Sequence, residues 1–351
     1  YTKFLIDNNY NFESNNGLIY DNENTFFPGT SKPHFSGFST NVDKESILRN
    51  QVYPLMKSDF HLWAPSSSSI LYNESENINN EMNSLLFTDV AANKIYKWNE
   101  KSGLSDYMIP SGYTGYAPNF ETGLIGANGL IYGNDGSLYL CQHGDRRVAK
   151  LIKLDDDVPK FETVIDKYEG KFFNSPNDMI MDSNGDIYFT DPPYGFFNPQ
   201  ERKFNNKFKE LNFSGVYKFS ISGELSLISS NLSLPNGITL SNDENYLFVN
   251  NSDDKNPIIT KYNIKDDFSS ELFFDGTELL KDYGGGFDGL KVHSSGNIFS
   301  TGPGGVLIIS PNGELISRIN FGGGVTNCNF DEDEKFLYVT GFGFVARVSL
   351  N

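Results

Sequence analysis

Five stretches of the chain can be laid over one another, and that repeat limits the fold more than any other feature. They begin Ala127-Asn128-Gly129-Leu130, Pro176-Asn177-Asp178-Met179, Pro235-Asn236-Gly237-Ile238, Phe287-Asp288-Gly289-Leu290 and Thr326-Asn327-Cys328-Asn329. Each carries Asn or Asp at its second place and runs on as a short strand-like stretch. Each then meets a polar turn: Asn134-Asp135-Gly136, Ser183-Asn184-Gly185, Asn242-Asp243-Glu244, Ser294-Ser295-Gly296 or Asp331-Glu332-Asp333. An apolar or alternating segment follows every turn, as in Leu138–Cys141, Ile187–Thr190, Tyr246–Val249, Ile298–Ser300 and Phe336–Val339. Strand, tight polar turn, strand is a β-hairpin used repeatedly.

The Asn/Asp positions lie 49, 59, 52 and 39 residues apart. A period of about 40–50 residues with several strands in each unit indicates propeller blades. A sixth unit stands upstream, where Leu85-Leu86-Phe87-Thr88-Asp89 repeats Ile187-Tyr188-Phe189-Thr190-Asp191. Lys94–Trp98, Gly215–Phe219 and Gly305–Ile309 read as further strands of their units. The expected fold is an all-β, six-bladed β-propeller over residues 59–351, with 1–58 as an N-terminal extension packed on it. That extension is rich in Asn, Ser, Phe and Tyr, with a short helix expected near Lys44–Asn50. Its aromatic side chains are costly to leave in water. The final strand, Phe344–Leu350, is placed to share a blade with N-terminal chain and so close the ring without a free edge.

In a propeller the innermost strand of each blade lines the central channel. Asn128, Asn177, Asn236, Asp288 and Asn327 therefore form an expected ring at one end of it. One Asn-Gly or Asp-Gly pair is an ordinary turn without a ligand role. Five at the same repeat position are a different matter. Amide and carboxylate oxygens converging on one point suit a hard divalent cation such as Ca²⁺ or Mg²⁺.

Composition narrows the partners. The formal net charge of −17 repels phosphate backbones and anionic membrane surfaces, so nucleic acid is not expected as a partner. No run approaches the ~18 apolar residues of a membrane-spanning helix. The four histidines, His34, His61, His143 and His293, are scattered, with no HExxH-like pair. Cys141 and Cys328 are too few for a disulfide framework, and they fall in blades that are not neighbours. Two buried free thiols are expected. The chain starts at Tyr1 and carries sequons at Asn73, Asn212, Asn231 and Asn250, from which a secreted, glycosylated protein is the expectation. Self-assembly is left open.

Beside this reading stands a resemblance. Asn174-Ser175-Pro176-Asn177-Asp178, Tyr188-Phe189-Thr190-Asp191-Pro192-Pro193-Tyr194-Gly195, Leu234-Pro235-Asn236-Gly237, Asp288-Gly289-Leu290, Thr301-Gly302-Pro303-Gly304-Gly305-Val306 and Thr326-Asn327-Cys328 resemble signatures of the gluconolactonase, senescence-marker-protein and luciferin-regenerating-enzyme family. So does Cys141-Gln142-His143-Gly144-Asp145-Arg146-Arg147. The similarity covers about residues 84–351 in the expected order. It implies a six-bladed propeller that hydrolyses a small lactone or ester with one divalent cation. Ca²⁺ comes first, with Mg²⁺, Mn²⁺ and Zn²⁺ as alternatives. It further implies Asn236 and Asp288 as metal ligands, Asn177 beside metal and substrate, and Asp288 as the base that activates water. Asn128, His143, Tyr194 and Asn327 are the candidate substrate contacts.

The chain departs from that pattern at one place. The family carries Glu-Gly-Pro before its first inner strand, and the Glu is a ligand. Here the region reads Trp63-Ala64-Pro65-Ser66-Ser67-Ser68-Ser69-Ile70-Leu71-Tyr72. With Ile70–Tyr72 as the inner strand, Ser68 stands where the Glu belongs; an ungapped count back from Phe87 puts Glu74 there instead. The first register is preferred, because Ser75–Asn80 has a single apolar residue, Ile78. Loss of the anionic ligand opens a second reading, a non-catalytic extracellular binding or structural propeller. Arg146-Arg147 is expected as a solvated pair.

Overall fold

The computed structural model describes residues 84–99, 102–118, 123–154, 158–198, 201–321, 324–342 and 344–350 with their side chains, and the backbones of residue 155 and of strands Val52–Lys57 and Ile70–Asn73. Ser68, Glu74, the helix expected near Lys44–Asn50 and most of the N-terminal extension lie outside these residues.

Among the described residues the strands form six antiparallel four-stranded sheets and two short two-stranded ribbons, Lys167–Tyr168 with Lys171–Phe172 and Phe197–Asn198 with Lys203–Phe204. Blade one is Ile70–Asn73, Ser84–Asp89, Lys94–Asn99 and Gly103–Met108, from inside outwards. Blade two is Ala127–Tyr132, Leu138–Gln142, Arg147–Asp155 and Val158–Ile165. Blade three is Met179–Met181, Ile187–Asp191, Gly215–Phe219 and Leu225–Ser229, and blade four is Pro235–Leu240, Tyr246–Asn251, Ile258–Asn263 and Ser269–Asp275. Blade five is Leu290–Val292, Ile298–Gly302, Gly305–Ile309 and Leu315–Ile319. Blade six is Val325–Phe330, Phe336–Gly341 and Phe344–Ser349, and Val52–Lys57 supplies its outermost strand. Each inner strand packs beside the next, and Ile70–Asn73 lies against Val325–Phe330, so the ring is closed. Val52–Lys57 falls inside the segment read as an extension. Its pairing with the last strand, Val52 opposite Val348, is the closure expected for the C-terminal strand.

The six hydrophobic clusters lie between blades rather than within them. Tyr188 packs with Ile238, Leu247 and Val249 of blade four, whereas its neighbours Ile187 and Phe189 pack with Ile131, Cys141 and Val148 of blade two. Likewise Leu85 and Phe87 face Tyr338 and Val345 of blade six, and Leu86 faces Leu130 and Leu140 of blade two. Successive strand residues point to opposite faces, and here both faces are covered. That is why the second strand of each unit reads as nearly continuous apolar sequence.

At one end of the ring the hairpin turns place a left-handed residue: Gly136, Gly185 and Gly296 in three blades, Glu244 and Glu334 in two. The two glutamates use their side chains across the blade boundary. Glu244 accepts from Ser183 N and Oγ at 2.9 and 2.6 Å, and Glu334 accepts from Ser294 N at 2.8 Å and from its hydroxyl.

At the other end the repeat's glycine has a role that its turn-like sequence disguised. Gly129 N donates to Asn177 O at 2.7 Å, Gly237 N to Asp288 O at 3.0 Å and Gly289 N to Thr326 O at 2.8 Å. Each bond crosses to the next blade. A Cβ on Gly129 would stand 2.8 Å from Asn177 O, and one on Gly237 would collide with the Asp288 carbonyl. These glycines serve close approach of two backbones rather than a turn.

Arg146 and Arg147 are not the solvated pair expected; they are 2% and 4% exposed. Arg146 Nε donates to Phe173 O at 2.6 Å, and its Nη1 meets Glu210 at 2.9 Å. Arg147 bonds Gln142, Thr163 and Asp145. Buried guanidinium groups persist when fully paired, and these two clamp the loops around blades two and three.

Gly237→Ala is expected to destabilise the fold by about 3 kcal/mol, because backbone cannot yield as a side-chain tip does. Gly284→Ala, where the added carbon meets nothing within 4 Å, should be close to neutral. Equal denaturation midpoints for the two variants would contradict the close-packed ring. Cys141 and Cys328 are both buried and free, as their placement on blades two and six requires. Burial pushes the Cys328 thiol up to about 12 and Cys141 well up. Neither should react with a thiol reagent in the native protein, and both should react after unfolding without reductant.

Candidate functional site

The ring residues do not sit on regular pleat. Asn177 N donates to Thr190 O at 2.8 Å while Thr190 N donates to Asp178 O at 3.0 Å, so two residues of the inner strand oppose one of the second. Asp288 and Gly289 straddle Thr301 in the same way. In blades two and four the register shifts between Ala127 and Leu130 and between Pro235 and Ile238. A bulge at the same place in blades two to five re-aims the Asn or Asp away from the inter-blade core.

The second strand then fixes the next blade's ring residue. Thr190 Oγ1 donates to Asn236 O at 2.7 Å, and Asn250 Nδ2 to Asp288 O at 2.7 Å. Asn250 is therefore a structural residue. It is fully buried, which removes it as a glycan acceptor in the folded protein, whereas Asn212 and Asn231 are exposed.

Two groups of side chains result. In the first, His143 lies between Asn128 and Asn177. Its Nε2 is 3.1 Å from Asn128 Nδ2 and 3.4 Å from Asn177 Nδ2, and its Nδ1 is 3.1 Å from Leu124 O. Burial pushes the His143 pKa down to about 4, so the ring is neutral at pH 7. Asn128 Oδ1 and Asn177 Oδ1 are buried with no protein hydrogen-bond partner.

In the second group Asn236, Ser252, Tyr194 and Asp288 meet. Asn236 Nδ2 donates to Ser252 Oγ at 2.9 Å, and Ser252 Oγ donates to Phe287 O. Tyr194, held in the short 3₁₀ turn Tyr194–Phe196, hydrogen-bonds Ser252 and Asn236. Burial raises its pKa and keeps it a phenol. The Asp288 carboxyl is raised well above the usual range by burial and by the charge of Asp178, and a hydrogen bond to Asn236 opposes this.

The structure thus brings together Asn128, Asn177 and His143, and separately Asn236, Asp288 and Tyr194. Asn327 lies against Gly289, next to Asp288, but its Oδ1 already accepts from Cys328 N at 2.8 Å. Two contributors escaped the sequence reading. Asp178 occupies the repeat's glycine place and is a buried second carboxylate, accepting from Ile238 N at 3.3 Å. Ser252 stands in blade four where His143 stands in blade two, two residues beyond the residue opposite the bulge. That shared offset was a legible signal.

Asp191, in the Asp-Pro-Pro-Tyr-Gly turn, works behind the site. Its carboxylate accepts from Asn174 N and Ser175 N at 2.8 and 2.7 Å. Burial nevertheless raises its pKa to about 7. Ser175 Oγ in turn donates to Pro192 O at 2.5 Å and accepts from Gly195 N at 2.8 Å, tying the Tyr194 turn to the strand that carries Asn177.

Among the described residues no three His, Cys, Asp or Glu side chains gather as a metal cluster. The donor set here is one ring carboxylate and neutral amide oxygens. Two of those oxygens are buried without partners, and burying such groups costs free energy unless something binds them. An Asp288 carboxyl pressed by burial and by Asp178 also gains from a nearby positive charge. Both observations fit a hard divalent cation and fit zinc, with its nitrogen and sulfur preference, less well.

Comparisons with known proteins agree with this fold. Residues 73–342 match the family model described as the SMP-30/Gluconolactonase/LRE-like region. A gluconolactonase of Zymomonas mobilis is 37% identical over 279 residues, covering 76% of this chain and 75% of that one. A lactonohydrolase of Aspergillus oryzae is 26% identical over 61% of this chain and 54% of its own length. Among solved structures, a gluconolactonase from Xanthomonas campestris superposes with a TM-score of 0.70 at 24% identity, covering 86% of this chain and 89% of that one. A regucalcin from Agrobacterium tumefaciens gives 0.60 at 13%, covering 84% and 92%. Matched across most of its length by the family model and by a relative of substantial identity, the chain belongs to the SMP-30/gluconolactonase/LRE-like family.

Proposed function

We propose that this protein hydrolyses small hydroxylated lactones or related esters at the ring of inner-strand residues, with one divalent cation, Ca²⁺ first. The observation that carries the reading is Asp288. It is the one carboxylate among the five ring positions, it touches Asn236, and burial and Asp178 together raise its affinity for a proton. The family and the 37% identical gluconolactonase support the substrate class.

Asp288, Asn236 and Asn177 are the residues that would hold the cation. Bound there, it would polarise the substrate carbonyl and make water more acidic. The rest falls to the chain. The Asp288 carboxylate takes a proton from water as the water oxygen bonds to the carbonyl carbon. Asp288, now a carboxylic acid, returns that proton to the ring oxygen as the carbon–oxygen bond of the lactone breaks. The product is a hydroxy acid, and Asp288 is ionised again. Asn128 Oδ1, which lacks a protein donor, accepts from a substrate hydroxyl. The Tyr194 phenol, kept protonated by burial, stands beside Asn236 and Ser252 and lines the substrate pocket.

Calorimetric titration with Ca²⁺ and hydrolysis of glucono-1,5-lactone test the reading. A carboxylate close to a cation contributes about 4 kcal/mol per pair of unit charges at an effective dielectric near 20, so Asp288→Asn should weaken Ca²⁺ binding about a thousandfold or more. It should also lower kcat/KM by about 10²–10⁴. Asn327→Ala should cost less than about tenfold, because its oxygen is already committed to Cys328. Ser68→Glu should strengthen the site if Ser68 holds the first blade's ligand position, and Glu74→Gln should weaken it if Glu74 does. A protein that neither binds Ca²⁺ nor opens any lactone at millimolar metal would be the non-catalytic binding module instead.

A further inference from the structure

We infer that His143 and Ser252 are positioning residues that set which way the ring amides face. The same device occurs in blades two and four, at equivalent places in the repeat.

The count of hydrogens fixes the direction of each amide. His143 Nδ1 faces the carbonyl oxygen of Leu124, which can only accept. Nδ1 must therefore carry the ring's proton, and a neutral imidazole then has a bare lone pair on Nε2. That lone pair accepts the NH₂ groups of Asn128 and Asn177. With the NH₂ side of each amide turned to His143, each Oδ1 is turned away from it. Both oxygens are buried and have no protein partner.

Ser252 repeats the logic with a different side chain. Its single hydroxyl hydrogen is given to Phe287 O. What it offers Asn236 is a lone pair, and it accepts the NH₂ of that amide at 2.9 Å. In both blades a backbone carbonyl removes the donor, so only an acceptor is left for the amide. Without such a partner an Asn amide can turn over at little cost, exchanging an oxygen for an NH₂ that repels cations. The orientation itself is independent of the proposed function. Its consequence for cation and lactone binding rests on that reading.

Two measurements test it. The first needs only the native protein: a ¹H–¹⁵N spectrum of the histidine side chains, with His143 assigned by comparison with H143Q. An Nδ1–H tautomer with unprotonated Nε2 is expected; an Nε2–H tautomer for His143 would overturn the inference, whatever the protein catalyses. The second uses matched pairs. H143L and S252A, which remove the acceptor, should each weaken Ca²⁺ binding and raise KM for glucono-1,5-lactone about tenfold or more, with a smaller change in kcat. H143Q and S252T, which restore an oxygen acceptor, should recover most of that loss. If the conservative and the apolar variant of each pair lose affinity equally, the residues act by packing and the inference fails. If the wild-type protein binds no Ca²⁺ and opens no lactone, the functional reading falls, and the tautomer alone decides the orientation.

Discussion

The hydrogen bonds that cross from blades two, three and four to the carbonyl oxygen of the next blade's ring residue hold the functional end of this molecule together. Asn177 O receives Gly129 N, Asn236 O receives Thr190 Oγ1, and Asp288 O receives both Gly237 N and Asn250 Nδ2. The side chain of a ring residue is thus anchored through its own main chain to the neighbouring blade. Buried amide and carbonyl groups must be paired, so these bonds cannot be given up locally. They also explain why Asn or Asp is followed by glycine, because only a residue without a side chain lets the two inner strands approach so closely. Two blades lack the glycine: blade six has Cys328 there, and in blade three Asp178 bonds the backbone of Ile238 with its carboxylate.

That substitution has an electrostatic side. Asp178 is buried and Asp288 half-buried, both carboxyls are raised, and Lys291 relieves Asp178 in part. Two like charges in a poorly solvated place are unfavourable, and groups so perturbed concentrate at functional sites. The rest of the ring is neutral amide. The arrangement is short of positive charge, which is what makes a cation a physically sensible occupant.

Much of this was legible in the sequence because a propeller writes its architecture as a repeat. The Asn/Asp positions, the hairpin turns and the closing strand followed from period and pattern. What the pattern hid were contacts between units. Asn250 presented itself as a sequon, and only the neighbouring blade shows its amide bound to Asp288 O and Ser300. Arg146 and Arg147 read as surface charges because their partners, Phe173 O, Glu210 and Thr163, lie 16 to 64 residues away. Ser252 has no signature at all beyond its offset from the bulge. The glycines were visible, but the reason for them was a carbonyl about fifty residues further on.

The pairing of Val52–Lys57 with Phe344–Ser349 also sets an order of events during synthesis. The outermost strand of the last blade emerges from the ribosome early, yet its partner is made some 290 residues later. At about 5–20 residues per second, that is a wait of roughly 15 to 60 s. Through that interval five blades can collapse on one another side by side while one strand has no sheet to join. The ring is complete only when Phe344–Ser349 meets Val52–Lys57, so a chain stalled before that strand presents an open arc with two unsealed faces to the cell. Such a species is a natural substrate for chaperones and proteases, and the finished ring is not.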